Sequence, residues 1–299
     1  SLATKVHKVE NDNFTDVFHA YYDQGNDEIR LKVGTINTTA SGNKAGAVFG
    51  NLSDTGRGDK AANNKYSQQL DRNLIIAKTS AASNTLGSAG QYVSVGVTQN
   101  TTNPVVVVVW YDGANLQYAF RPYTYDNNSI VAVTGNAVRN TGDETKNWTV
   151  QNIMSGGEYC QLVVDSDDGI HIAAYDGDNL RYAYLSSYDD STPSVATVDS
   201  YLDVGNNLTI DVAKIGNNQI PYIGYAASEP EQPRYAYIAN IPKTKDENGI
   251  EKDKTQSAWT SDDIAGVDSS DKYTGVWECT VVPTVGVDSS GVSLGSQML

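Results

Sequence analysis

The sequence predicts an all-β fold built from antiparallel sheets repeated in series. A strand–turn–strand phrase recurs at residues 106–120 (VVVVWYDGANLQYAF), 170–184 (IHIAAYDGDNLRYAY), 220–237 (IPYIGYAASEPEQPRYAY) and, more loosely, 17–33. The composition agrees: 19 Tyr against 4 Phe, with 26 Gly in 299 residues, suits half-buried pleated surfaces joined by many turns.

Aligned on Tyr22, Tyr111, Tyr175 and Tyr225, the first half of each phrase is a run of β-branched and aromatic residues of strand length. Two copies continue as Asp-Gly-x-Asn, at Asp112 to Asn115 and Asp176 to Asn179. Gly and Asn there accept the positive φ of a tight turn, and Asp bonds the turn backbone. The second half alternates: Leu180, Tyr182 and Tyr184 share one face, and Arg181 and Ala183 the other. Leu116, Tyr118 and Phe120 repeat the pattern, as do Ile29, Leu31 and Val33.

An apolar stretch precedes each of the later hairpins, at residues 92–97, 159–164 and 208–212, and another follows the last, at 276–287. Weaker strands follow the hairpins at 73–78, 148–153, 194–198 and 257–259. Four antiparallel strands repeated in series describe a β-propeller blade, and the chain is expected to form four to five of them. The C-terminal strand is expected to stand beside the N-terminal hairpin, so that pairing of N- and C-terminal strands closes the ring. A fifth blade built from both termini, or a longer parent chain, is the competing account. The whole of 1–299 reads as one propeller domain, with loops inserted at about 37–69, 127–147 and 243–254, where Asn, Gly, Lys, Asp and Thr dominate.

Charge limits the partners. Thirty-six acidic residues against 21 basic ones give a net charge of −15, so a nucleic-acid backbone would be repelled. The apolar run 105–110 is far shorter than the ~20 residues of a membrane-spanning helix. Cys160 and Cys279 read either as a disulfide between blades or as two buried thiols. Frequent Asn-x-Ser/Thr triplets, such as Asn13, Asn51 and Asn207, fit export but also arise by chance in an Asn- and Thr-rich chain.

Residues 162–184, LVVDSDDGIHIAAYDGDNLRYAY, resemble the repeat of bacterial extracellular β-propeller proteins. In that repeat a strand ending in Asp-Ser-x-Gly leads into His-Ile-x-Tyr-Tyr-Asp and Leu-x-Tyr-Ala strands. The match is fair at 105–120 and partial elsewhere, since Ala226 follows Tyr225 where the repeat has Asp and His19 is displaced by one from the position of His171. The resemblance implies a propeller and a secreted or cell-surface setting; it transfers no catalytic residue.

Asp165, Asp167 and Asp168, followed by Gly169, form an Asp-x-Asp-x-Gly loop whose carboxylates suit Ca²⁺, with a plain hydrogen-bonded turn as the alternative. No other cofactor is indicated. His7, His19 and His171 show no zinc-type spacing. Arg30, Arg181 and Arg234 share one third-strand position, held by Gln117 in the remaining copy, and are expected to pair with acidic residues between blades. No Gly-x-Ser-x-Gly elbow is present. The expected function is therefore a binding, adhesion or assembly module for a protein or glycan on a cell surface, and a larger assembly is compatible with it. Contact is expected from the loops and from aromatics among Tyr21, Tyr22, Trp110, Tyr111, Tyr123, Tyr125, Trp148, Trp259 and Trp277. The alternative is a carbohydrate-active hydrolase or lyase with its site on the propeller axis, marked by converging carboxylates.

Overall fold

The computed structural model describes residues 2–8, 14–37, 47–48, 74–78, 89–99, 104–126, 129–132, 148–200, 203–228, 231–265 and 276–282. The first sheet joins β1 (Leu2–Lys8), β2 (Phe14–Asp23) and β3 (Glu28–Asn37) in chain order, with β4 (Ala47–Val48) and β5 (Leu74–Lys78) both pairing β3. The second holds β6 (Gln91–Val97), β7 (Val105–Tyr111), β8 (Asn115–Asp126) and β10 (Thr149–Ser155) as neighbours, with β9 (Ser129–Ala132) beside β8. The third runs β11 (Glu158–Val164), β12 (Ile170–Tyr175), β13 (Leu180–Leu185) and β14 (Ser194–Asp199). The fourth is β15 (Val204–Ile215), β16 (Asn218–Ser228), β17 (Glu231–Ile238) and, after the β18 (Lys243–Lys245) and β19 (Glu251–Asp253) hairpin, β20 (Trp277–Val281). Strand neighbours pair antiparallel. No α-helix occurs among the described residues, so none there is long and apolar enough to cross a membrane.

The contacts divide the chain into two compact units, residues 1–113 with 117–152, and residues 114–116 with 153–299. In the first unit, Phe18, Ala20, Ile29 and Leu31 of the first sheet share a core with Val106, Val108, Trp110 and Ala119 of the second. In the second unit, Ala173, Leu180, Tyr182 and Tyr184 of the third sheet pack with Ile223, Tyr225, Ala236 and Ile238 of the fourth. Alternation explains both cores: each strand turns every second side chain to the same face.

Three first strands carry the same distortion. Gln91 pairs Tyr111, Glu158 pairs Tyr175 and Asn206 pairs Ala226; the register then shifts across left-handed residues Tyr92 (φ 56), Tyr159 (φ 54) and Asn207 (φ 49). These are β-bulges, which bend a strand and steepen its twist. A glycine precedes two of them with positive φ, Gly157 (140) and Gly205 (116). A Cβ on Gly157 would lie 2.8 Å from Leu116 Cβ, so a side chain is excluded there by space as well as by φ.

The bulges also correct the repeat. They place Ala226, not Tyr225, at the position of Tyr175, so Tyr222 is the counterpart of His171. The third-strand alignment stands, with Arg234 at the position of Arg181: Pro233 pairs Ala226 as Leu180 pairs Tyr175. The hairpin phrase of the fourth sheet is therefore offset by one residue on its second strand, and each side chain there faces opposite to the Tyr-based alignment.

Other expectations are revised. Residues 283–299, which hold much of the expected C-terminal strand, lie outside the described residues; among the described ones β1 pairs β2 and β20 pairs β17. Trp277 and Cys279 decide the latter, since they alternate into the core of the second unit, where Trp277 Nε1 donates to Ile264 O at 2.8 Å. No closed ring is shown. Residues 257–259 are not the fourth strand of that sheet; Gln256–Ala258 is a 3₁₀ turn. The expected loop at 243–254 contains a hairpin, because Asp246 Oδ1 accepts from Asn248 N and Ile250 N and Gly249 adopts φ 77. Most of 37–69 and 127–147 lies outside the described residues, as do His7's side chain and the side chains of Tyr123 and Tyr125.

Candidate binding site

The Asp-Ser-Asp-Asp-Gly turn is closed around the buried carboxylate of Asp165. Asp165 Oδ1 accepts from Asp167 N at 2.7 Å and Gly169 N at 2.9 Å, and Oδ2 stands 2.9 Å from His171 Nε2. His171 Nδ1 is 2.7 Å from the Tyr182 hydroxyl. A neutral imidazole protonated on Nε2 satisfies all three groups: it donates to Asp165 and accepts from Tyr182. Burial pushes the His171 pKa below its ordinary value, against the opposing hydrogen bond and charge of Asp165. Gly169 is needed because a Cβ there would fall 2.6 Å from Asp165 Oδ2.

Asp167 turns outward instead, to Lys214 Nζ at 3.2 Å and Gln219 Nε2 at 2.9 Å. These donors, Gln219 first, hold its carboxyl below the usual range. The turn of the third sheet thus grips β15 and β16 of the fourth. Asp168 is in the left-handed region (φ 67). Of the three aspartates expected to hold Ca²⁺, Asp165 and Asp167 serve different partners, and among the described residues no group of three or more His, Cys, Asp or Glu is placed to hold a metal ion.

The third-strand arginines split into two roles. Arg30 Nε lies 3.1 Å from Asp23, Arg181 Nη1 lies 2.9 Å from Asp176, and Gln117 Nε2 donates to Asp112 at 2.9 Å. Each closes its own hairpin by reaching the turn carboxylate, rather than bridging sheets as the sequence suggested. Arg234 alone follows the expectation: its phrase lacks the turn Asp, and it reaches Asp199 Oδ2 of the preceding sheet at 2.7 Å. Both cysteines are buried thiols outside any disulfide, Cys160 on β11 and Cys279 on β20.

A cleft of about 490 Å³ opens in the second unit where the β13–β14 connection meets residues 257–261. Ser194 Oγ donates to Trp259 O at 2.7 Å, and Val195 N donates to Ser261 Oγ at 3.0 Å. The segment expected as a strand therefore lies along β14 and forms one wall. Tyr184 and Trp259 form the aromatic part, with ring centroids 6.3 Å apart; Ser186, Thr192, Ser257 and Thr260 present hydroxyls. Asp190 is the one carboxylate among the lining residues. Ser186 N and Oγ donate to its Oδ2, and Thr192 N and Oγ1 to its Oδ1. Burial works to raise its pKa, but these donors outweigh it and leave the carboxyl below its ordinary range.

No protein-family model matches the sequence, and no curated protein matches it. Among solved structures, the chain is similar to the catalytic domain of Coprinopsis cinerea GH62 α-L-arabinofuranosidase, at 12% identity and a TM-score of 0.33, covering 83% of this chain and 66% of that one. It is also similar to an N-acetylgalactosamine deacetylase from F. plautii, solved with blood group B trisaccharide, at 10% identity and a TM-score of 0.36, covering 85% and 68%. The chain thus spans about two thirds of each of these proteins.

Of the aromatics singled out in the sequence, Trp110, Trp148, Trp259 and Trp277 are all buried. Among the described residues the exposed tyrosines are two others, Tyr222 and Tyr235, which share one face of the fourth sheet. A glycine opposite a tyrosine, Gly224 across from Tyr235, where the third sheet pairs Ala173 with Tyr182, was the available signal.

Proposed function

We propose that the chain is a secreted or surface-displayed binding module of the β-propeller repeat class, and that it takes a glycan at the cleft between the β13–β14 connection and residues 257–261. The lining carries this reading. Drug-like pockets of 300–1,000 Å³ are mostly apolar, whereas this one, at about 490 Å³, is lined mainly by Ser, Thr and Asp beside the largely buried Tyr184 and Trp259, a polar lining that suits a hydroxyl-rich ligand able to donate to hydroxyl oxygens whose protons are already engaged. The repeat at 162–184 and the acidic composition support an extracellular setting.

Binding without turnover fits the electrostatics of the cleft. Glycoside hydrolysis ordinarily uses two carboxyl groups, one of them protonated. Asp190 is single among the lining residues, held ionised, and occupied by four donors.

A glycan array probed with the purified chain tests this, together with Ser257→Tyr, which fills the cleft from an exposed position and leaves the Asp190 bonds intact. Binding by the wild type, lost in Ser257→Tyr at unchanged melting temperature, is the expected result. An array without a ligand, or equal binding by the variant, overturns it.

A further inference from the structure

The cleft between the β13–β14 connection and residues 257–261 turns its protons into the protein. Ser186 Oγ and Thr192 Oγ1 donate to Asp190, Ser194 Oγ to Trp259 O, and Thr260 Oγ1 to Asp263 Oδ2. A hydroxyl carries one proton and two lone pairs, so these four oxygens keep only acceptor capacity for a ligand. The N–H groups of the same walls are committed in the same way. Ser186 N and Thr192 N donate to Asp190, Thr260 N to Asp263, Ala258 N to Thr255 O and Trp259 N to Gln256 O. The Trp259 indole Nε1 donates to Lys254 O at 3.2 Å.

Charge has the same sign. Among the described residues that line the cleft none is Lys, Arg or His, and Asp190 supplies a carboxylate. Lys254, just ahead of residues 257–261 in the chain, is bound to Asp263 Oδ2 at 2.5 Å. Asp190 has two donors on each oxygen, so it acts on a ligand through its charge and through the hydroxyls it polarises. Donating to a carboxylate strengthens Ser186 Oγ and Thr192 Oγ1 as acceptors.

We propose that the cleft recognises its glycan through a sugar bearing a free amino group and discriminates against acidic sugars. The inference rests on the glycan reading of the same cleft and names its ligand class. An ammonium group brings three donors, a positive charge and no acceptor, which complements acceptor oxygens backed by a carboxylate that its donors keep ionised. An N-acetyl group removes the charge, leaves one N–H and adds a carbonyl acceptor. A uronate or sulfate calls for N–H or guanidinium donors. Here it would meet lone pairs and Asp190, and a like-charge contact opposes binding.

Calorimetric titration of the purified chain with three disaccharides, of glucosamine, N-acetylglucosamine and glucuronic acid, tests the proposal. At about pH 6.5 an amine is protonated, and about 0.15 M salt screens the non-specific pull of the net charge of −15. The glucosamine disaccharide should bind about tenfold or more tighter than the N-acetylated one, the glucuronate should not bind, and Ser257→Tyr should abolish binding. Asp190→Asn should erase most of the preference for the amine. Should that variant fold poorly, Thr192→Val, which keeps the Thr192 N–H bond to Asp190 but deletes one acceptor oxygen, should weaken amine binding by about threefold or more at unchanged melting temperature. Equal affinity for the amine and its N-acetyl form, binding of the glucuronate, or amine binding that these variants leave unchanged each overturns the proposal. Failure of all three sugars to bind overturns it as well. The glycan array judges the broader reading separately, since a neutral ligand there, lost in Ser257→Tyr, sustains that reading without this one.

Discussion

Arg234 is bonded to Asp199 across two sheets, Nη1 to Oδ2 at 2.7 Å, and Tyr225 donates its hydroxyl to the same oxygen at 2.6 Å. The pair is buried, with side-chain exposures of 9% and 2%, and it arises where Ala227 stands at the position of the turn aspartate Asp176.

Breaking this pair from one side leaves an uncompensated buried charge. Arg234→Met is expected to cost about 3 kcal/mol or more in urea unfolding. Arg181→Met, whose partner pair is more exposed at 26% and 14%, is expected to cost about 1 kcal/mol or less. Equal losses would show that burial does not distinguish the two arginines.

Stability should fall on mild acidification through His171. Its pKa is depressed by burial in the folded chain, so the unfolded chain binds the extra proton first, near pH 6.5. The contribution is complete above about pH 6.5 and is lost as pH falls from there toward the depressed folded value. Asp176, Asp190 and Asp263 also have lowered values, but their contributions are lost only below about pH 4. Melting temperatures from pH 7 to 5 should therefore decline in the wild type and flatten in His171→Gln, which can still donate to Asp165 and accept from Tyr182. An unchanged slope in the variant assigns the effect elsewhere.

Calcium should do little to the Asp165 turn. With Oδ1 taken by two backbone N–H groups and Oδ2 by His171, a cation would have to displace buried bonds. Calorimetry with added Ca²⁺ and with chelator should give the same transition; a shift of several degrees on saturation would reveal a site that these contacts do not predict.

The cysteines should be inert until the chain unfolds. Burial pushes the Cys279 thiol up to about 12 and that of Cys160 higher still, which suppresses the reactive thiolate. A thiol reagent should label neither in native buffer and both in denaturant, and reductant should leave the melting temperature unchanged.

Residue Gly157 offers a purely steric test. Gly157→Ala meets both an unfavourable φ of 140° and Leu116 at 2.8 Å, and should cost about 1–3 kcal/mol. Gly177→Ala, at φ 108° with open space around it, should cost less; the reverse order would sink the packing argument.

Much of the secondary structure is legible in the sequence because it rests on local chemistry. Period-two alternation around Leu180, Tyr182 and Tyr184 defines a strand face, and Asp176-Gly177-Asp178-Asn179 builds its turn from its own side chains. The strands at 92–97, 159–164 and 194–198 follow from the same signals. The candidate site is much less legible: its cleft joins Tyr184 and Asp190 to Trp259 and Thr260, residues distant in the chain whose meeting no local pattern encodes.

What the sequence determined by itself is the all-β class, the serial hairpins and the turns, since each depends on neighbours a few residues apart. Tertiary structure decided the register of β16, the partner of Arg234, the pairing of β20 with β17 and the outward face of Tyr222 and Tyr235. The physical reason is the two-residue period of a strand. The fourth sheet keeps the bulge of the others but its turn lacks the aspartate, and its second strand is offset by a single residue, which leaves the apolar pattern intact yet turns Tyr222 to the opposite face.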